Sequence, residues 1–101
     1  MGHPIRLIAS LWVRDGRTDA FHAYEFKAAA IMQRYGGFIE RVEPGASGPS
    51  TGEPFEIHHI SFPSQASFDA YRNDPDLWAL AAEREACIAR TTVIPIPNES
   101  A

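Results

Sequence analysis

The sequence is poor in the features that announce a chemistry. Cys87 is the single cysteine in 101 residues, which excludes an intrachain disulfide and any Cys-x-x-Cys reaction and leaves packing as the expected role of its thiol. No apolar run approaches the length of a membrane span. Met1-Gly2-His3-Pro4 has neither the basic flank nor the long apolar stretch of a signal peptide, so a soluble, cytoplasmic protein is expected. The basic residues stand singly in a chain of formal net charge −4. Without a basic patch there is no electrostatic footprint for nucleic acid. No Ser-His-Asp order, metal-ligand spacing or phosphate loop can be assembled, and neither a cofactor nor a metal is expected.

What is present is an ordered alternation of strand and helix signals. At 101 residues and 45% apolar, the chain can bury one core and not two, so residues 1–101 are expected to form a single domain with its core over about 5–96. The organising stretch is Phe55 to Tyr71. It holds a strand over Phe55 to Phe62, a stop at Pro63, which cannot donate to a sheet ladder, and a helix opened by the N-cap Ser64.

Upstream, Ile5 to Val13 alternates Leu7, Ala9, Leu11 and Val13 with Arg6, Ile8, Ser10 and Trp12. Both faces carry apolar groups, as in a central strand covered on two sides. After a turn at Asp15-Gly16, Thr18 or Asp19 is expected to cap a helix with the stripe Phe21, Tyr24, Ala28, Ile31 and Tyr35. Gly36-Gly37 closes it, the first glycine taking the left-handed position after the helix. A second strand runs from Phe38 to Glu43, and residues 44–53 form an apolar-poor loop joining two strands as a wide hairpin. Beyond Ser64, Asn73-Asp74-Pro75 interrupts the second helix. Asp74 caps and Pro75 starts a continuation through Leu77, Trp78, Leu80, Ala81 and Ile88. Thr91 to Ile96 is the last strand, with Pro95 and Pro97 marking an unpaired edge.

The order βαββαβ predicts an α+β, ferredoxin-like fold: a four-stranded antiparallel sheet with two helices on one face and the first and third strands central. The uncovered face is expected to carry several of Leu7, Leu11, Phe38, Val42, Phe55 and Ile57, which implies a partner sheet.

Several pieces resemble the dimeric α/β-barrel superfamily, and within it a small branch of unknown function related to antibiotic-biosynthesis monooxygenases. They are Phe21-x-x-Tyr24-Glu25, Tyr35-Gly36-Gly37, Phe62-Pro63-Ser64 with Phe68, and Asn73-Asp74-Pro75-Asp76-Leu77-Trp78. Together they span about residues 5–94. The resemblance implies a homodimer whose sheets face each other around a shared interior, with relatives among cofactor-independent monooxygenases, haem-degrading enzymes and muconolactone isomerases. The haem-degrading branch has a histidine in its second helix and an asparagine in its first strand. Here residues 64–90 hold no histidine and the first strand offers Ser10 and Trp12, a departure that argues against haem.

His58 and His59 are adjacent on a strand and point to opposite faces, so they cannot grip one ion. His58 shares a face with Ile60 and Phe62, the side expected under the helices. His59 lies with Ile57 and Ser61 and is the candidate general base of the barrel interior, or else a hydrogen-bonded interface residue. Trp12, Ser10 and Arg6 share a face of the first strand. They line the pocket if that face is the interior, and Trp12 is core if it is not. Ser61 and Tyr35 complete the substrate-binding candidates. Two functions stay open at this point: a cofactor-independent monooxygenase- or isomerase-like enzyme acting on a small organic molecule, and a non-catalytic dimeric module that binds a small apolar or aromatic ligand or serves as scaffold.

Overall fold

The computed structural model describes residues 3–45 and 52–96. Most of the 44–53 loop and Pro97 therefore lie outside the described residues. In chain order the elements are β1 (Ile5–Val13), α1 (Thr18–Gln33), β2 (Phe38–Pro44), β3 (Glu56–Phe62), α2 (Gln65–Arg72), α3 (Pro75–Trp78), α4 (Ala81–Cys87) and β4 (Ile88–Ile96). The strands form one antiparallel sheet in the order β2-β3-β1-β4. This is the expected ferredoxin-like α+β fold, with β1 and β3 central and the helices on one face. Among the described residues no helix is long and apolar enough to cross a membrane.

The period of two along each strand divides the sheet cleanly. Leu7, Ala9 and Leu11 of β1 and His58 and Phe62 of β3 are buried beneath the helices. There they meet Phe21, Tyr24, Ala28, Ile31 and Met32, the buried stripe of α1. The opposite face carries Arg6, Ile8, Ser10 and Trp12, paired across the sheet with Ser61, His59 and Ile57 on β3 and with Ile96, Ile94, Thr92 and Arg90 on β4. The expected composition of this open face needs correction. Leu7 and Leu11 belong to the core, Val42 pairs with the buried His58, and Phe55 packs edge-on against Phe21. Of the residues expected there, Phe38 and Ile57 remain, joined by Ile8, Trp12 and Ile94.

Turn chemistry sets the joints. Gly36 has φ 75°, a conformation that strains any residue with a Cβ. At Gly37 an added Cβ would run into the Phe62 ring and Met32 Cγ, so this glycine lets α1 close onto β3. The N-cap of α1 is Arg17, one residue before the expected Thr18 or Asp19, and no side chain caps it. Ser64 caps α2 as expected, its Oγ accepting from the Ser67 N–H at 3.1 Å.

The second helical arm breaks at residue 74, where the sequence places the break, but it does not continue through Ile88. It ends at Cys87, and β4 starts at Ile88, three residues before Thr91. A bulge lets Ile88 pair with Val13 while remaining buried in the core. Tertiary burial therefore ends the helix without any breaker residue in the sequence.

Asp74 holds the break together. Only 5% exposed, its carboxylate accepts from the Asp76 N–H at 2.7 Å, from the Tyr35 hydroxyl at 2.5 Å and from Arg34 Nη1 at 3.3 Å. The hydrogen bond from Tyr35 is the main reason its pKa is held below the usual carboxylate value. Asp74→Ala would remove the cap of α3 and the tie from α1 together. It is expected to lower the melting temperature by roughly 5–10 °C, with Tyr35→Phe causing a smaller loss; circular-dichroism melting that leaves both unchanged would contradict the assignment.

Candidate active site

Room for a ligand arises because the facing layers carry small residues where they meet. Ala9 on β1 and Ala28 on α1 are both buried, and both line the space left between the layers. The result is a cavity of about 550 Å³ between the sheet and the helices, within the usual size of small-molecule sites. Leu11, Met32, Ile39 and Ile60 form apolar walls, and Tyr71, Leu77 and Trp78 close it from the second arm.

One end of the cavity is acidic. His58, 2% exposed, points up from β3, and Glu25 comes down from α1. The imidazole Nε2 lies 3.1 Å from Glu25 Oε1 and 2.9 Å from Glu56 Oε1. Across the last group, His22 Nε2 stands 3.6 Å from Glu56 Oε2. One imidazole N–H cannot serve two carboxylates fully, so the cluster holds its proton in competition. Burial, and after it the charge of Glu56, push the Glu25 carboxyl up to about 7. Burial likewise raises the Tyr71 and Tyr24 phenols, so both stay neutral donors near physiological pH. The ligand atoms of Glu25, Glu56 and His58 all lie within 4.8 Å of one another, a set that a divalent ion could also draw together.

Two arginines, Arg72 and Arg84, line the same cavity. Arg84 of α4 lines the cavity with Tyr24 and Thr91, and its Nη2 donates to Thr91 Oγ1 at 2.9 Å.

No protein-family model matches the chain, and no curated protein sequence does. Solved structures match it closely in shape. A protein of unknown function from Rhodopseudomonas palustris has a TM-score of 0.81 at 19% identity, covering 98% of this chain and 85% of its own. SnoaB, a cofactor-independent oxygenase from Streptomyces nogalater, has a TM-score of 0.71 at 12% identity, with 98% and 96% covered. An uncharacterised NIPSNAP-like domain protein from Burkholderia xenovorans has a TM-score of 0.66 at 14% identity, with 100% and 90% covered. The chain shares the ferredoxin-like fold of these proteins. At these identities the likeness is one of fold alone.

On this ferredoxin-like scaffold the residues expected from sequence to bind or react fall outside the helix-side cavity. His59 lies on the open face, its Nε2 close to Glu43 Oε2 and 3.1 Å from Arg41 Nη2. Trp12, Ser10, Ser61 and Arg6 share that face. Arg90 stacks over the Trp12 ring at 4.6 Å, and Arg6 pairs with Glu40 at 3.4 Å. Tyr35 is committed to Asp74. None of the six lines the cavity, whereas Glu25, Glu56 and Arg84 were not among the expected site residues. The signal for them was present but faint: a histidine on the same strand face as Ile60 and Phe62, and a glutamate bordering the α1 stripe beside Tyr24.

The raised Glu25 pKa has a sign that can be measured. Above the ordinary value of 4.5 the unfolded chain releases this proton while the folded chain keeps it until about pH 7. The contribution of Glu25 to stability is therefore full below pH 4.5 and is lost as pH rises through 7. The loss is on the order of 3 kcal/mol at most. Glu25→Gln should flatten this dependence and be the more stable protein at pH 8, as read from urea midpoints at both ends of the range; parallel wild-type and variant profiles would refute the coupling.

Proposed function

We propose that this protein is a small proton-transfer enzyme, of the cofactor-independent oxygenase or isomerase type, that acts on a compact, mostly apolar organic molecule held between sheet and helices. The observation that carries this reading is Glu25: a half-buried carboxyl at the wall of a mostly apolar cavity, with a pKa of about 7 and its position fixed by His58 at 3.1 Å. A base poised near the working pH is what proton abstraction requires. Glu25 as carboxylate takes a proton from an acidic C–H or O–H and becomes the acid, while the electron pair stays on the substrate as an enolate or phenolate. His58 and Glu56 hold the carboxyl in place and share its proton. Returning the proton to a different carbon completes an isomerisation. With dioxygen, a methylene carbon becomes a carbonyl, and the second oxygen atom leaves as water.

Solvent-deuterium incorporation, followed by NMR over a panel of hydroxyaromatic and 1,3-dicarbonyl compounds, tests this directly. Oxygen uptake would be recorded in parallel. Turnover by the wild type should fall by about 100-fold or more in a folded Glu25→Gln variant. Saturable binding without exchange or oxygen uptake on any compound would instead identify a ligand-binding module.

We also propose a homodimer, working in the cytoplasm, formed through the open sheet face. Phe38 and Ile94 are 53% and 59% exposed there, beside Ile8, Trp12 and Ile57. Each large side chain gains roughly 1.5–3 kcal/mol on full burial, and a twofold pair of sheets covers both copies with one self-complementary surface. His59, Glu43 and Arg41 would then form a polar network within the interface. Sedimentation at micromolar concentration is expected to give twice the chain mass of 11.2 kDa. A well-folded monomer that persists there would refute the pairing.

A further inference from the structure

The acid–base reading of Glu25 and His58 leaves Arg84, which lines the same cavity, unexplained. Arg84 is half-buried, and of the five N–H donors of its guanidinium one reaches Thr91 Oγ1 at 2.9 Å and another the Tyr24 hydroxyl, both neutral partners. The neighbouring Glu83 is drawn away by Lys27 at 2.8 Å, and no carboxylate among the described residues forms an ion pair with Arg84. Nor does Arg84 offset the acidic cluster, since the Glu25 carboxyl is governed by its burial and by Glu56. A second, shallower hollow of about 290 Å³, lined by Tyr24, Arg72, Leu77, Trp78, Ala81 and Arg84, adjoins the cavity. Arg84 and Arg72 line both, so the guanidinium of Arg84 borders two half-open hollows. A partly desolvated charge without a counter-ion is costly in an apolar setting and is favourably met by an anion, and the planar fork of arginine matches a carboxylate in two-point geometry.

We infer that Arg84, with Thr91 behind it and the Tyr24 hydroxyl beside it, is the anchor for a carboxylate, so that the ligand is a small organic acid with an apolar body. This rests on the acid–base reading only for where reaction occurs; the anchoring itself is a matter of binding. The ligand lies across the cavity with its carboxylate at Arg84 and its body among Leu77, Trp78 and Met32. Its far end reaches Glu25 and His58. A single-ended apolar ligand would leave the guanidinium unmet. A ligand that is anionic at its reacting end would meet Glu25 and Glu56.

The probes are 1-naphthoate and its neutral isostere 1-naphthamide, titrated calorimetrically into the full chain. The acid should bind about tenfold tighter than the amide or better, the range expected for a charge-assisted hydrogen-bonded pair. Arg84→Gln should abolish that preference, and Arg84→Lys should restore part of it, which guards against a variant that misfolds. In Glu25→Gln the preference for the acid should persist even though exchange chemistry is lost, so the anchor and the base fail separately. Equal affinity for acid and amide in the wild type would overturn the inference. So would an undiminished preference in Arg84→Gln, or no saturable binding of either probe at millimolar concentration.

Discussion

The two-residue period of β3 governs where chemistry can reside in this molecule. Glu56, His58, Ile60 and Phe62 face the helices, while Ile57, His59 and Ser61 face away. The alternation is fixed by pairing to both neighbours: a slip of one residue would bring His59 into the core and turn Phe62 out to solvent. Phe62 is also the residue that Gly37 makes room for, so the joint between α1 and β2 depends on the same register. Two adjacent histidines of identical intrinsic chemistry thus live in different environments, one nearly fully buried between two carboxylates and one on an open sheet surface.

The break in the second helical arm is the complementary constraint. Asp74 fixes it by capping α3 and by accepting hydrogen bonds from Tyr35 and Arg34 of the turn after α1. A buried carboxylate is tolerated only when its lone pairs are met, and here three donors meet them. The redirected α3 brings Leu77 and Trp78 to the cavity, and α4 brings Arg84. Trp78 remains 65% exposed while its indole N–H donates to the Arg72 carbonyl, a position at the rim from which it can cover a ligand.

The fold was legible because local signals agree with one another. Pro63-Ser64, Asp74-Pro75 and Gly36-Gly37 each permit few backbone conformations, and the apolar stripe of α1 is regular. Legibility ended where long-range contacts decide. Nothing near Cys87 breaks a helix; β4 begins there because Ile88 finds a place beside Val13. The open face was assigned the wrong leucines for a related reason: β1 is apolar on both sides, so composition could not say which side the helices cover. The site was less legible still. Glu25 and Arg84 read as the ordinary charged flanks of amphipathic helices, and only the approach of α1 to β3 and of α4 to β4 makes them neighbours of one cavity.

The charges on the two sheet faces differ in a way that separates structure from function. On the open face, opposite charges are matched within reach: His59 and Arg41 with Glu43, Arg6 with Glu40, and Glu43 is held below its ordinary pKa chiefly by its bond to His59. Such compensated groups gain from one another and ask nothing of a ligand. Beneath the helices the balance is left open. Two carboxylates crowd one imidazole, and the Arg84 guanidinium has only hydroxyl partners, Thr91 and Tyr24. The groups stand on separate elements, Glu25 on α1, Glu56 on β3 and Arg84 on α4, and no ion pair among the described residues joins Arg84 to either carboxylate. Holding such groups in a partly dry space carries a desolvation cost that the open face, with its charges compensated, does not bear.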